Sequence, residues 1–325
     1  MSDLLLVGAK TGLVVCRAAG QGWEVLRRGL QGQAVTSVIA REGVILAGTR
    51  TGVYRSDDLG AGWSEASLGL KELHIRWLAY RPEVSDFELA GTEPAAVFIS
   101  RDGAATWREC PEVSEMRERF GWSLPYSPEA GCVRGFAFHG ARAYAAVEDG
   151  AVLVSDDGGL SWELAGGSRG PADHAPLSGH IHSDVHSIEA HPSSPELVFA
   201  PTGGGFFRSQ DGGRSWENLY PRCYCRAAWI DPADAQHILL GPADGVDRGG
   251  RIEESRDGGR TWTPAWSGLE APWPRHMVER FARVGERLFA VLSNGELLQA
   301  TADELRWQPV LQEIPGVQAV AGMAP

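Results

Sequence analysis

Four side chains that can bind a metal ion alternate along one short segment, GHIHSDVHSIEAHP. They are His180, His182, Asp184 and His186. Alternate residues of an extended strand point to the same side, so we expect the four side chains to share one face. Imidazoles and carboxylates bind zinc, manganese, iron or nickel. The segment predicts a divalent transition-metal site in which His182 and His186 bind the ion with help from His180 or Asp184. The alternative is that these groups cap loop backbone and face water.

Three arginines occupy equivalent places in separate short apolar segments. Arg76, Arg134 and Arg226 are each the second residue of such a segment, and Glu279 is the second residue of another. Converging guanidinium groups bind a carboxylate, phosphate or sulfonate, so these arginines predict a small-anion site. If there is a reaction, Glu279 is our candidate catalytic proton carrier beside a metal-polarised water. The alternative is that the arginines hydrate a channel and pair with Glu279.

Several further carboxylates are candidates for glycoside hydrolysis. Glycoside hydrolysis needs two carboxyl groups roughly 5 to 10 Å apart. Glu93, Asp149, Asp244 and Asp247 fall on connections that we expect near Glu279. Any pair of these acids is a candidate.

A repeated eight-residue pattern positions all of these residues. It reads Ser, any, Asp, any, Gly, any, any, Trp, as in SQDGGRSW at 209–216. The Asp side chain folds back onto its own turn, Gly permits a positive φ, and the Trp buries a large ring on the outgoing strand. The pattern therefore predicts hairpins, and complete, near or worn copies occur at 16–23, 56–63, 100–107, 155–162, 209–216, 255–262 and 300–307.

The spacing of these copies predicts the architecture. The motif tryptophans recur at a period typical of a four-stranded propeller blade. The chain begins on a second strand of a blade and ends on a first strand, 317–322. Pairing the two closes the ring and leaves no open sheet edge. We therefore predict an all-β fold: residues 1–325 form a single seven-bladed β-propeller with Asp-box turns, closed by the C-terminal strand in the N-terminal blade.

This pattern resembles that of the BNR or Asp-box β-propellers. The superfamily includes sialidases, xyloglucan-cleaving glycoside hydrolases, sortilin-type domains and photosystem assembly factors related to Ycf48. The early FRIP-like segment of sialidases is missing here. The resemblance implies that ligands bind at the channel mouth opposite the Asp-box turns. That mouth is built by the connections between blades and between the second and third strands.

Charge and composition narrow the partners. The chain carries 30 Lys and Arg against 42 Asp and Glu, a net charge of −12, which disfavours nucleic acid and anionic membranes. Five cysteines without a CxxC pattern favour reduced thiols. The start, MSDLLLVGAK, has no basic segment before its apolar residues, so we expect a cytoplasmic protein.

Three functions remain open at this stage. The first is a propeller that binds a small anion and has a metal site at the mouth, which would support metal-assisted hydrolase or lyase activity. The second is a non-catalytic assembly scaffold of the Ycf48 type, in which the arginines dock an acidic protein segment. The third is a glycoside hydrolase of the xyloglucanase kind, which would bind a glycan.

Overall fold

Seven four-stranded antiparallel sheets make up the fold. The computed structural model describes residues 4–20, 22–126, 131–171 and 175–323. The first blade contains β1 (Leu4–Ala9), β2 (Gly12–Ala19) and β3 (Gly22–Gly29). The second contains β4 (Val35–Arg41), β5 (Val44–Thr49), β6 (Gly52–Ser56) and β7 (Ser64–Glu65). The third contains β8 (Ile75–Tyr80), β9 (Glu88–Thr92), β10 (Val97–Ser100) and β11 (Arg108–Cys110), followed by the helix α1 (Pro111–Phe120).

The remaining blades repeat this order. The fourth contains β12 (Cys132–His139), β13 (Arg142–Glu148), β14 (Val152–Ser155) and β15 (Glu163–Leu164). The fifth contains β16 (Glu189–Ala190), β17 (Val198–Thr202), β18 (Gly205–Ser209) and β19 (Glu217–Pro221). The sixth contains β20 (Tyr224–Asp231), β21 (Asp234–Ala243), β22 (Glu253–Ser255) and β23 (Thr263–Pro264). The seventh contains β24 (Val278–Val284), β25 (Arg287–Leu292), β26 (Leu297–Thr301) and β27 (Gln308–Val310).

The last strand closes the ring. β28 (Val317–Met323) pairs antiparallel with β1, with Val320 opposite Val7 and Met323 opposite Leu4. This pairing completes the first blade and satisfies the backbone groups of both strands, so neither leaves an exposed edge there. The predicted seven-bladed propeller and its closure are confirmed.

The Asp-box turns are held by side-chain hydrogen bonds to backbone, as the turn of the sixth blade shows. The Ser255 hydroxyl donates to Asp257 Oδ1 at 2.8 Å and accepts from the Gly259 N–H at 2.8 Å. Asp257 Oδ1 also accepts from the Thr261 N–H at 2.9 Å. Hydrogen bonds from the Thr261 side chain and backbone lower the pKa of Asp257 to about 2. The motif carboxylate is therefore engaged by its own turn and is not available to a ligand.

Glycines in the second strands allow the blades to pack closely. A methyl group at Gly48 would lie 2.5 Å from Ile75 Cγ2 on the next blade, and one at Gly91 would lie 2.6 Å from Val133 Cγ1. Gly241 has the same relation to Val278. The side chains of Ile75, Val133 and Val278 thus pack directly on the backbone of the preceding blade. The apolar core lies between neighbouring blades and holds the inner strands in place around the channel.

Candidate functional site

In six blades a β-bulge in the inner strand directs one side chain toward the channel mouth, and in the fifth blade the corresponding residue, His186, lies three residues before β16. In β4, Val35 is opposite Thr49 and Ser37 is opposite Gly48, which leaves Thr36 as the extra residue. A bulge of this kind turns a side chain out of the regular alternation. Around the seven blades, the residues at this place are Thr36, Arg76, Arg134, His186, Arg226, Glu279 and Gln318.

The fourth position of the same strands packs between blades. Val38 lies in one apolar cluster with Leu4 and Leu6 of the preceding blade. Leu78 and Ile188 are likewise buried, each in an apolar cluster shared with the preceding blade. The bulge explains why residues two apart point in different directions, one into the channel and one into the core.

The three predicted arginines lie at this mouth, and each has a carboxylate partner. Arg76 Nη1 is 3.1 Å from Glu93 Oε2. Arg134 bridges two acids, with Nη1 3.2 Å from Glu148 Oε2 and Nη2 3.3 Å from Glu279 Oε2. The remaining arginine, Arg226, pairs with the other oxygen of Glu279. The network therefore neutralises much of the charge that the sequence suggested for a ligand.

Glu279, the predicted proton carrier, is held ionised by its surroundings. Burial alone would raise the pKa of Glu279, but Arg226 and Arg134 outweigh that effect and lower it below the usual range. Both of its carboxylate oxygens accept from guanidinium groups. A carboxylate that stays charged and fully engaged is a poor proton donor near neutral pH. Its evident role in this structure is to position the two arginines.

Glu148 is a site residue that the sequence analysis missed. It ends β13 and is buried at the mouth, where its Oε2 accepts hydrogen bonds from the Tyr126 hydroxyl and the Cys132 thiol, each at 3.1 Å. Burial opposes ionisation, yet Arg134 and His186 bring the pKa of Glu148 well below its usual range. The sequence feature that could have identified Glu148 is an acidic residue at the end of the second strand of a blade.

Arg280 is the second residue that the sequence analysis missed. Its guanidinium stacks over the Trp77 ring, 4.2 Å from the centroid, and Nη2 donates to the Thr36 carbonyl at 3.0 Å. No carboxylate within the described ranges pairs with it. Burial lowers the pKa of Arg280 to about 9, with the charges of Arg134 and Arg76 acting in the same direction. The signal in the sequence was a second charge directly after Glu279.

These side chains surround a cavity of about 340 Å³ at the mouth. The turns after β1 and β5 contribute Lys10 and Arg50, both exposed. The charged residues that line the cavity are the cations Lys10, Arg50, Arg76, Arg134, Arg226 and Arg280 and the anions Glu148 and Glu279. Six cations face two carboxylates in a chain whose net charge is −12. The mouth is therefore a local cationic site.

The predicted metal ligands divide into two pairs. His186 Nε2 lies 3.0 Å from Asp184 Oδ1, and Glu148 completes a group whose ligand atoms are all within 4.8 Å of one another. By contrast, His180 and His182 line a separate groove of about 750 Å³ together with Trp216. The reason is that the segment is not a regular strand: Val185 pairs singly with Thr202, and β16 begins only at Glu189. Period-two alternation does not hold before β16.

The other candidate residues have local roles. Asp244 pairs with Arg251 at 3.0 Å, and Asp247 lies 3.9 Å from Arg226. All five cysteines are buried free thiols. Burial raises the pKa of Cys223 to about 12, so this thiol does not ionise near neutral pH.

The fold and its turns define a seven-bladed Asp-box β-propeller with a cationic channel mouth. No protein-family model matches the sequence, and no curated protein does so either. Also, no helix in the described part of the chain is long and apolar enough to cross a bilayer.

Solved structures share this fold at low sequence identity. An ancestral GH74 enzyme is 18% identical, with a TM-score of 0.64 over 94% of this chain and 40% of the other. The GH74 xyloglucanase from Xanthomonas campestris is 18% identical, with a TM-score of 0.62 over 86% of this chain and 45% of the other. Ycf48 bound to D1 peptide is 16% identical, with a TM-score of 0.64 over 93% and 89% of the two chains. The chain thus spans less than half the length of these GH74 enzymes and nearly all of Ycf48.

Proposed function

We propose that the protein binds a small anion carrying carboxylate or phosphate groups in the mouth opposite the Asp-box turns. The observation that carries this proposal is the cavity itself, which is lined by six cations and two carboxylates, with Glu93 as a third acid paired to Arg76. Arg280 adds a half-buried guanidinium with which no described carboxylate forms an ion pair. A bound anion would supply the missing charge where water is partly excluded.

The state of the carboxylates favours binding over hydrolysis. A glycosidase needs one carboxyl group with a raised pKa as its acid. Glu148 and Glu279 both have lowered pKa values, and both are engaged by Arg134. Neither is suited to protonate a leaving group. We therefore give catalysis by Glu148 and Glu279 no part in the proposal.

A second candidate is an acidic protein segment as the ligand. It is supported by the likeness to Ycf48, which covers nearly all of both chains and whose solved structure holds a D1 peptide. The same cationic mouth would attract acidic side chains. However, the cavity volume of about 340 Å³ is at the lower end for small-molecule sites, which favours a compact anion.

Calorimetric titration at low ionic strength tests the proposal. The probes are citrate, inorganic phosphate and a hexaglutamate peptide. Lys10→Gln with Arg50→Gln removes two exposed mouth charges, and Arg260→Gln removes an exposed charge on the Asp-box face. We expect citrate or phosphate to bind with a stoichiometry near one, and the double variant to bind roughly 3- to 10-fold more weakly. The Arg260→Gln control should match the wild type.

Two outcomes would contradict the proposal. If hexaglutamate binds and neither small anion does, the acidic-segment function replaces it. If no probe binds, or if the double variant and the Arg260→Gln control bind citrate equally well, the mouth is not an anion site.

A further inference from the structure

Glu148, Asp184 and His186 form a compact cluster on the channel wall between the fourth and fifth blades. His186 Nε2 is 3.0 Å from Asp184 Oδ1 and 4.0 Å from Glu148 Oε1. Their side chains are 0%, 14% and 5% exposed for the histidine, the aspartate and the glutamate. Two carboxylates and one imidazole thus converge in a nearly dry location.

The hydrogen bond made by Nδ1 of His186 determines which ring nitrogen can bind a metal ion. Nδ1 is 2.7 Å from the carbonyl oxygen of Cys225, which can only accept, so Nδ1 carries a proton. Nε2 lies 3.0 Å from Asp184 Oδ1 and 3.1 Å from the Tyr224 hydroxyl, so a proton on Nε2 is shared with Asp184 and a metal ion can take its place. Metal-binding histidines commonly donate their other N–H to a backbone carbonyl in this way.

Glu148 is oriented so that one oxygen is left for an ion. Its Oε2 accepts from Tyr126, Cys132 and Arg134. Its Oε1 faces His186 instead. Three donors that fix one oxygen of a buried carboxylate act as the outer shell of a ligand. A cation between Oε1, the Asp184 carboxylate and Nε2 would replace the shared proton and balance the two carboxylate charges.

We propose that Glu148 Oε1, Asp184 Oδ1 and His186 Nε2 bind one divalent transition-metal ion, of the zinc or manganese type. One imidazole nitrogen and two carboxylate oxygens suit these metals better than calcium or magnesium, which prefer oxygen alone. The Tyr224 hydroxyl lies beside the ion. Neither His180 nor His182 belongs to this set. The site goes beyond the proposed anion binding and does not depend on it.

Metal titration of the full chain tests this site. Tag-free protein is stripped with EDTA, titrated with Zn²⁺ or Mn²⁺ by calorimetry, and analysed for metal content. We expect about one equivalent of metal and a higher unfolding temperature in its presence. Asp184→Asn preserves the side-chain shape and should weaken binding by at least about 10-fold. Co²⁺ loading should give a visible d–d spectrum without a thiolate charge-transfer band, because the Cys132 thiol is not a ligand.

The neighbouring histidines provide matched controls. His180→Ala changes a partly exposed ring outside the cluster, and His182→Asn keeps a hydrogen-bond acceptor for the Asp184 N–H. Both variants should bind the metal as the wild type does. Well under one equivalent in the wild type, unchanged binding in a folded Asp184→Asn protein, or loss of binding in His180→Ala would each overturn the assignment. Circular dichroism of each variant verifies folding.

Discussion

Replacing Arg280 with glutamine should weaken anion binding and stabilise the ligand-free protein at the same time. The arginine charge lies partly buried beside Arg134 and Arg76, and burial is the main reason that its pKa falls from 12.5 to about 9. One pKa unit corresponds to about 1.4 kcal/mol, so the fall from 12.5 to about 9 costs the folded state up to roughly 5 kcal/mol. Stacking on Trp77 and the hydrogen bond to the Thr36 carbonyl recover about 1 to 3 kcal/mol of this.

The two effects of Arg280→Gln have opposite signs and are measured separately. We expect the free energy of unfolding in urea to rise by about 2 to 4 kcal/mol, which is the difference between that cost and that recovery. Citrate affinity should fall by about 10-fold or more, because a charge-assisted hydrogen bond is lost. Arg283→Gln, at the outer end of the same strand, is the control and should change neither quantity appreciably.

The pH dependence has a definite sign. Below pH 9 Arg280 is protonated in both the folded and unfolded states, so the advantage of the variant is constant. Between about pH 9 and 12.5 the unfolded state binds more protons than the folded state, and the stability of the wild type therefore rises relative to the variant. The charge of Glu279 partly opposes the fall in the pKa of Arg280. Glu279 is present in both the wild type and Arg280→Gln. If the variant is less stable at pH 7 and binds citrate normally, Arg280 is a structural residue and the reasoning fails.

Three further predictions concern the fold. Ser155→Ala removes a buried hydroxyl that organises an Asp-box turn and should lower the free energy of unfolding by about 1 to 2 kcal/mol, as measured in urea, with citrate affinity unchanged. Gly48→Ala should cost about 1 to 3 kcal/mol by overpacking against Ile75, whereas Gly22→Ala, where a methyl group has room, should be tolerated in the same assay. The pKa of Asp257 is about 2 in the folded protein, so its carboxylate contributes stability above pH 4 that is lost as the pH falls toward 2. The difference in stability between the wild type and Asp257→Asn should therefore shrink over that interval. Acid titrations followed by circular dichroism measure this difference.

The fold was accessible from the sequence because one local pattern repeats with the period of a blade. Each Asp-box turn is made by residues within a few positions of one another, such as Ser255 and Asp257, so the pattern alone identifies the hairpin. The terminal strands then indicate closure, because β1 begins a blade that lacks its inner strand. Local information repeated around a ring was sufficient here.

The site was only partly accessible, because its side-chain directions depend on bulges and on contacts between blades. Arg134 and Glu279 lie at the mouth where their strand position suggested. The sequence did not predict the roles of Glu148 and Arg280, because these roles depend on contacts with residues on other strands. His180 and His182 were grouped with His186 by an alternation that the irregular backbone before β16 does not follow.

Locating a bound anion in the protein tests the central claim most directly. Crystals soaked in selenate can be examined by anomalous diffraction, in which selenium marks the anion. Our account predicts the strongest anomalous peak inside the mouth cavity, within hydrogen-bond distance of the Arg280 guanidinium. A mouth without a peak, while selenate occupies sites on the Asp-box face, would contradict it.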